Sequence, residues 1–219
     1  MDTANLDSSD FLVHIFISLP KKQYKIFKKK LVNELNFKGI KYRLNIIQSA
    51  SEITDKIKKS ISQAETSAQH FFLWCFHSDR EGMEFANGEE LDWESFIKII
   101  LRHDYGVDGS NIYLCACESL YASMAISSEV ESEQINNFIA PPTIVNFDEA
   151  IIYACQFLSD VAAGRKIQKS TVHPFRLIRG EDLKTISQLR TSTKKGNMLA
   201  LISFVNLLPE YYSYTDTSL

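Results

Sequence analysis

Phe71-Phe72-Leu73-Trp74-Cys75-Phe76 runs without a polar residue into His77, and Ile112-Tyr113-Leu114-Cys115-Ala116-Cys117 runs in the same way into a thiol. Runs this short, apolar throughout and rich in aromatic side chains, fit strands buried on both faces of a parallel sheet. Period-two alternation puts Phe71, Leu73, Cys75 and His77 on one face, and Tyr113, Cys115 and Cys117 on one face of the second strand. Between the two runs, Asn87-Gly88 marks a tight turn flanked by Met83, Phe85 and Leu91. Asp92 then caps a helix carrying Trp93, Phe96, Ile97, Ile100 and Leu101. One hairpin and one crossover helix suffice to make the two runs neighbouring parallel strands.

Working outward, residues 11–19 read as another buried strand, stopped by Pro20. A helix over 21–38 follows, with Tyr24, Phe27, Leu31 and Leu35 inward and Gly39 as its stop. Residues 42–47 form a strand, and Ser51 is the expected N-cap of a helix carrying Ile53, Ile57, Ile61 and Ala64. Beyond Cys117 the pattern predicts a helix over 118–130 and an extended stretch over 138–145 broken by Pro141-Pro142. A helix beginning at Asp148 carries Ile151, Ala154, Phe157 and Leu158 and closes at Gly164. Alternating strands and amphipathic helices give an α/β fold: a three-layer sandwich with a mainly parallel sheet and helices on both faces. The expected organisation is a flexible lead over 1–10, an α/β domain over 11–164, and a helical extension over 165–219 packed on the same domain. Within that extension 165–180 is basic and irregular, 181–190 a short helix, and 198–208 a more apolar one.

Composition narrows the function classes. The net charge of −3 gives no electrostatic footprint for nucleic acid. The crowded Lys21, Lys22, Lys25, Lys28, Lys29 and Lys30 are the solvated face of a helix. The first ten residues are polar and acidic, so no signal peptide is expected, and no apolar run is long enough for a membrane span. Cys75, Cys115, Cys117 and Cys155 sit in apolar segments and read as the free thiols of a cytoplasmic protein. The spacing of Cys115 and Cys117 does not suit zinc, and His14, His70, His103 and His173 show no metal or triad spacing. No metal or other cofactor is expected.

Functional crevices of open α/β sheets lie at the carboxyl ends of the strands. His77 and Cys117 both close strands, so neighbouring strands would bring an imidazole and a thiol out on one rim. Deprotonated with help from a base, a thiol is a strong nucleophile, and the imidazole can later protonate a departing amine. Taken singly, each residue also suits a structural role, the histidine as a satisfied side chain and the cysteine as a small hydrophobe. Asp79, Glu81 and Asp148 near the rim suit a pocket for a basic side chain, although Asp148 equally suits a helix cap.

The stretches His77-Ser78-Asp79-Arg80-Glu81-Gly82, Phe85-Ala86-Asn87-Gly88-Glu89-Glu90-Leu91-Asp92-Trp93 and Ile112 to Ser119 together resemble the CHAT family of caspase-like cysteine peptidases. The resemblance spans residues 70–164, with Phe147-Asp148-Glu149-Ala150 opening what looks like the family's last core helix. It implies a caspase-like fold and an endopeptidase acting on protein or peptide substrates, regulated by a separate protein or ligand. It implies His77 as the catalytic histidine and Cys117 as the nucleophile. The backbone N–H groups of Ser78 and Cys117 would form the oxyanion hole. Ser78 stands where the family has glycine, which favours the rival reading of a non-catalytic caspase-like interaction module. A flavodoxin-like or receiver-type domain ranks last, because residues 18–22 offer neither glycines nor acids.

Overall fold

The computed structural model describes residues 11–64, 69–101, 110–126, 134–163, 175–180 and 182–186. The expected lead over 1–10 and the apolar helix over 198–208 lie outside them.

An eight-stranded mixed sheet forms the middle layer. Its strands are β1 (Phe11–Ser18), β2 (Tyr42–Ile46), β3 (Gln69–Ser78), β6 (Ser110–Cys115), β7 (Ile135–Ala140) and β8 (Arg176–Arg179), with β4 (Gly82–Glu84) and β5 (Glu90–Asp92) as a small antiparallel hairpin on β3. The order is β2-β1-β3-β6-β7-β8, parallel from β2 to β7, with β8 antiparallel at the edge. The segment expected to be irregular over 165–180 therefore contains a strand. Phe175, Leu177 and Ile178 are buried there, and a four-residue strand is too short to announce itself by alternation.

The longer α helices among the described residues are α1 (Lys21–Phe37), α2 (Ile53–Ser62), α3 (Trp93–Ile100) and α4 (Phe147–Ala162), and residues 182–186 are also helical. The chain moves outward from β1 to β2 through α1, then back across β1 to β3 through α2. Crossovers of one hand taken in opposite directions lay their helices on opposite faces of the sheet. Accordingly α1 and α4 cover one face, where Phe27, Leu31 and Leu35 pack with Ile15, Leu73, Tyr113 and Phe157. On the other face α2 and α3 pack Ile53, Ile57 and Phe96 against Phe16, Trp74 and Leu114. Trp74 lies 4.3 Å from Phe16 in a stack and meets Phe96 edge-on at 5.1 Å. Each such buried side chain contributes roughly 1.5–3 kcal/mol relative to exposure.

Local signals mostly land as the sequence suggests. Gly39 ends α1 with a left-handed φ of 67°, and Gly88 makes the β4–β5 turn at φ 83°. Asp92 caps α3 by accepting from the Ser95 N–H at 2.8 Å. Three readings need correction. Ser51 does not cap α2: it lies in a 3-10 turn, Ala50–Glu52, and its hydroxyl pairs with that of Ser49 at 2.9 Å. Asn146, not Asp148, caps α4, accepting from the Asp148 N–H at 2.9 Å. The helix expected over 118–130 is a 3-10 helix, Ser119–Ala125, that gives way to extended backbone at Ile126. There Ser119 and Ser123 donate to the carbonyls three residues back, at 2.8 and 2.7 Å, which favours the tighter helix. The six lysines of 21–30 are all exposed, as a solvated helix face requires.

Candidate active site

The strand order reverses direction between β1 and β3. From β1 the chain departs toward β2, and from β3 it departs toward β6, which opens a crevice at the carboxyl ends of β1 and β3. His77 stands at that end of β3. The β3–β6 register pairs Cys75 with Cys115, the last residue of β6. His77 lies two residues further on in β3, and Cys117 two residues further on in the turn after β6, so the strand expected over 112–117 stops two residues short of the thiol. Cys75 belongs to the α1/α4 face, and period-two alternation within β3 carries His77 out over it; Cys117 meets the same side through its contact with Val145.

Side chains from both covering helices surround His77. Its Nε2 lies 2.7 Å from Oε1 of Gln23, in the first turn of α1. The Phe147 ring at the start of α4 meets the imidazole edge-on, centroids 5.3 Å apart at 68°. Cys117 lies against the link into α4, where its Sγ–H donates to the Val145 carbonyl at 3.7 Å. The Ser78 hydroxyl donates a short hydrogen bond to the carbonyl of Cys117, tying the two strand ends together. His77 and Cys117 are not hydrogen-bonded to each other in this state. Catalytic pairs often tighten only when substrate arrives.

Backbone geometry at the thiol is unusual. Glu118 has φ 51°, the one left-handed non-glycine among the described residues. Such a conformation costs roughly 1–2 kcal/mol and needs support from its surroundings. The Glu118 N–H donates to the Thr143 carbonyl at 3.0 Å, and its carboxylate accepts from Arg80 Nε at 2.8 Å. The chain therefore turns sharply as it leaves Cys117 and leaves the thiol half-exposed.

The other three cysteines are buried. Burial raises the Cys75 thiol well above the ordinary range, with Cys115 hydrogen-bonded beside it. Burial also pushes Cys155 up to about 12, with Glu34 adding repulsion. Thiols held protonated in this way are poor nucleophiles. Cys117 is thus the cysteine a reagent can reach.

Beside His77 and Ser78 opens a cavity of about 340 Å³, bounded by the β4–β5 hairpin. Five acidic residues line it, Asp79, Glu81, Glu84, Glu90 and Asp92, with no lysine or arginine among the lining residues. Asp79 also shapes the turn, its Oδ1 accepting from the N–H groups of Glu81 and Gly82 at 2.8 and 3.1 Å. Asp79 and Glu81 line the cavity as the sequence suggests; Asp148 does not. Helix α4 carries Asp148 to Lys30 on α1, 2.6 Å away. Gln23, Phe147, Glu84 and Glu90 were not legible as site residues. The one signal for Gln23 was its position just past Pro20, at the corner where β1 hands over to α1.

Among the described residues no group of three or more His, Cys, Asp or Glu side chains is placed to hold a metal ion. Nor is any helix long and apolar enough to cross a membrane. Compared with known proteins, the sequence matches no family model and no curated protein.

Proposed function

We propose that this protein is a caspase-like cysteine endopeptidase with Cys117 as nucleophile and His77 as general acid–base. The observation that carries the reading is the β3–β6 register. It supports an imidazole at the end of β3 and a half-exposed thiol in the turn just past the end of the neighbouring parallel β6, beside the point where strand order reverses. In the reaction the Cys117 thiolate bonds to a peptide carbonyl carbon, and the backbone N–H groups of Ser78 and Cys117 hold the oxyanion. The C–N bond breaks as His77 gives its proton to the leaving amine. Water, deprotonated by His77, then hydrolyses the thioester and frees Cys117. The five acidic residues lining the cavity beside His77 favour substrates carrying a lysine or arginine near the scissile bond. Free thiols fit a cytoplasmic setting, and a separate protein is the expected regulator.

A peptide probe with a basic residue and a thiol-trapping acyloxymethyl ketone tests this. Labelling of Cys117, lost in Cys117→Ala and weakened when the basic residue is replaced by glutamate, supports the reading. Labelling of Cys115 instead, or none in the folded protein, would overturn it. The second reading, a non-catalytic interaction module, is favoured by one observation. His77 bonds to Gln23 and Cys117 to Val145, rather than to each other.

A further inference from the structure

We infer that Gln23 is a positioning residue that sets which nitrogen of His77 carries the proton and supports the imidazole when it is charged; this rests on the cysteine-peptidase reading. The argument begins with the amide. Its Oε1 lies 2.7 Å from Nε2 of His77, and a carbonyl oxygen can only accept. With the amide in this orientation, Nε2 carries a hydrogen. In the neutral ring that leaves Nδ1 as the lone-pair nitrogen, the one free to take a thiol proton. When Nδ1 is protonated, the Nε2–H bond to Gln23 becomes charge-assisted and stronger. An acceptor at this position thus supports His77 in taking up the Cys117 proton, so its removal should slow reaction at the thiol.

The fold holds this acceptor in place. Pro20 ends β1 and starts α1, which delivers Gln23 in the first helical turn directly above the crevice between β1 and β3. The Phe147 ring packs edge-on against the imidazole, so the ring is held from α1 and α4 together. Gln23 is itself exposed and touches no core, so replacing it leaves folding intact.

The test measures alkylation of Cys117 by iodoacetamide against pH, a readout that needs no peptide substrate. The variants are Gln23→Leu, Gln23→Glu and His77→Ala. The expected order for onset of thiolate reactivity is Gln23→Glu at or below the wild-type pH, then Gln23→Leu above it, then His77→Ala highest. Near pH 6, Gln23→Leu should react about five- to tenfold more slowly, the difference between a charge-assisted and a neutral hydrogen bond expressed as a rate. If His77→Ala shifts the profile and Gln23→Leu does not, the role of Gln23 is wrong and the His77–Cys117 pair stands. A Gln23→Glu profile matching Gln23→Leu overturns the acceptor argument. If His77→Ala leaves the profile unmoved, the pair itself fails, and the role of Gln23 fails with it.

Discussion

Two histidines on neighbouring strands of one sheet live in opposite surroundings. His77, at the carboxyl end of β3, is half-exposed and makes one polar contact, with an exposed glutamine. His14, inside β1, is fully buried. Its Nδ1 lies 2.6 Å from the Ser60 hydroxyl and its Nε2 2.8 Å from Nδ1 of His70, while its ring stacks on Phe72 at 5.1 Å. Every polar atom of His14 is thus engaged inside the protein, which a buried imidazole requires. His77 keeps one nitrogen free at a rim. The comparison teaches where to look for cost. Changes at the rim should remove chemistry and leave stability alone, whereas changes at His14 should remove stability and leave the rim alone.

The largest expected effect belongs to the rim. On the proposed reading, Cys117→Ala, or His77→Ala, should lower peptide cleavage by about a thousandfold or more, since members of a catalytic pair act as a unit. Because Cys117 is half-exposed, Cys117→Ala should change unfolding free energy by less than about 1 kcal/mol, well short of the roughly 2–5 kcal/mol of large core truncations. Cleavage kinetics and urea denaturation on the same samples check both halves. A variant that retains cleavage, or one that unfolds, breaks the contrast from the rim side.

The interior side is tested by pH. Burial lowers the His14 imidazole to about 3, and the neighbouring His70 and Arg43 add repulsion. Burial lowers His70 as well. Two charged rings would also face one another with two N–H donors and no acceptor. The unfolded chain takes up a proton near the ordinary value of 6.5, which folded His14 refuses until about 3. Stability is therefore complete above about pH 6.5 and falls as pH drops through that window. At pH 5 the loss from His14 is about 2 kcal/mol. His14→Phe keeps a flat ring against Phe72 and should remove most of this slope, whatever it does to stability at neutral pH. Equal slopes in the two proteins would place the acid sensitivity elsewhere.

The same contrast explains how much the sequence disclosed. The strand that carries His77 was legible because an apolar run leads into it, whereas β6 ends at Cys115 and leaves Cys117 in the following turn; the hairpin and cap between the two strands carry strong local chemistry in Gly88 and Asp92. Partnerships across the sheet were not. His14, Ser60 and His70 come together only through the β1–β3 register and the packing of α2, and nothing in their spacing announces it. Gln23 reaches His77 across 54 positions of chain for the same reason. Asp148 lies away from the cavity because no residue of α4 lines it and the helix carries this carboxylate to Lys30, a placement set by packing rather than by local sequence.

A smaller effect sharpens the rim. The Ser78 hydroxyl ties β3 to the carbonyl of Cys117, so Ser78→Ala should cost about 1 kcal/mol in urea denaturation. Ser78→Gly removes the same bond and also the Cβ beside the proposed oxyanion hole. If crowding there limits catalysis, Ser78→Gly should cleave faster than Ser78→Ala despite equal or lower stability. The reverse order would mean that the tether matters more than the space.

The smallest effect belongs to Arg80. Its guanidinium meets Glu118 at 2.8 Å and lies over the Tyr121 ring at 5.5 Å, with two-thirds of the side chain in solvent. An ion pair this open is screened by salt and offset by the entropy of holding a long side chain. Arg80→Ala should therefore leave the denaturation midpoint where it was and leave Cys117 alkylation unchanged. The alternative has a physical route. Glu118 holds a left-handed backbone immediately after the thiol, and Arg80 is the cation that grips its side chain. If that grip maintains the turn, Arg80→Ala will slow alkylation at low salt, and high salt will slow the wild type to match. Such a salt-dependent change in Cys117 reactivity, with stability constant, would make a surface ion pair part of the site. No change would leave the backbone bond from Glu118 to Thr143 as the support of the turn.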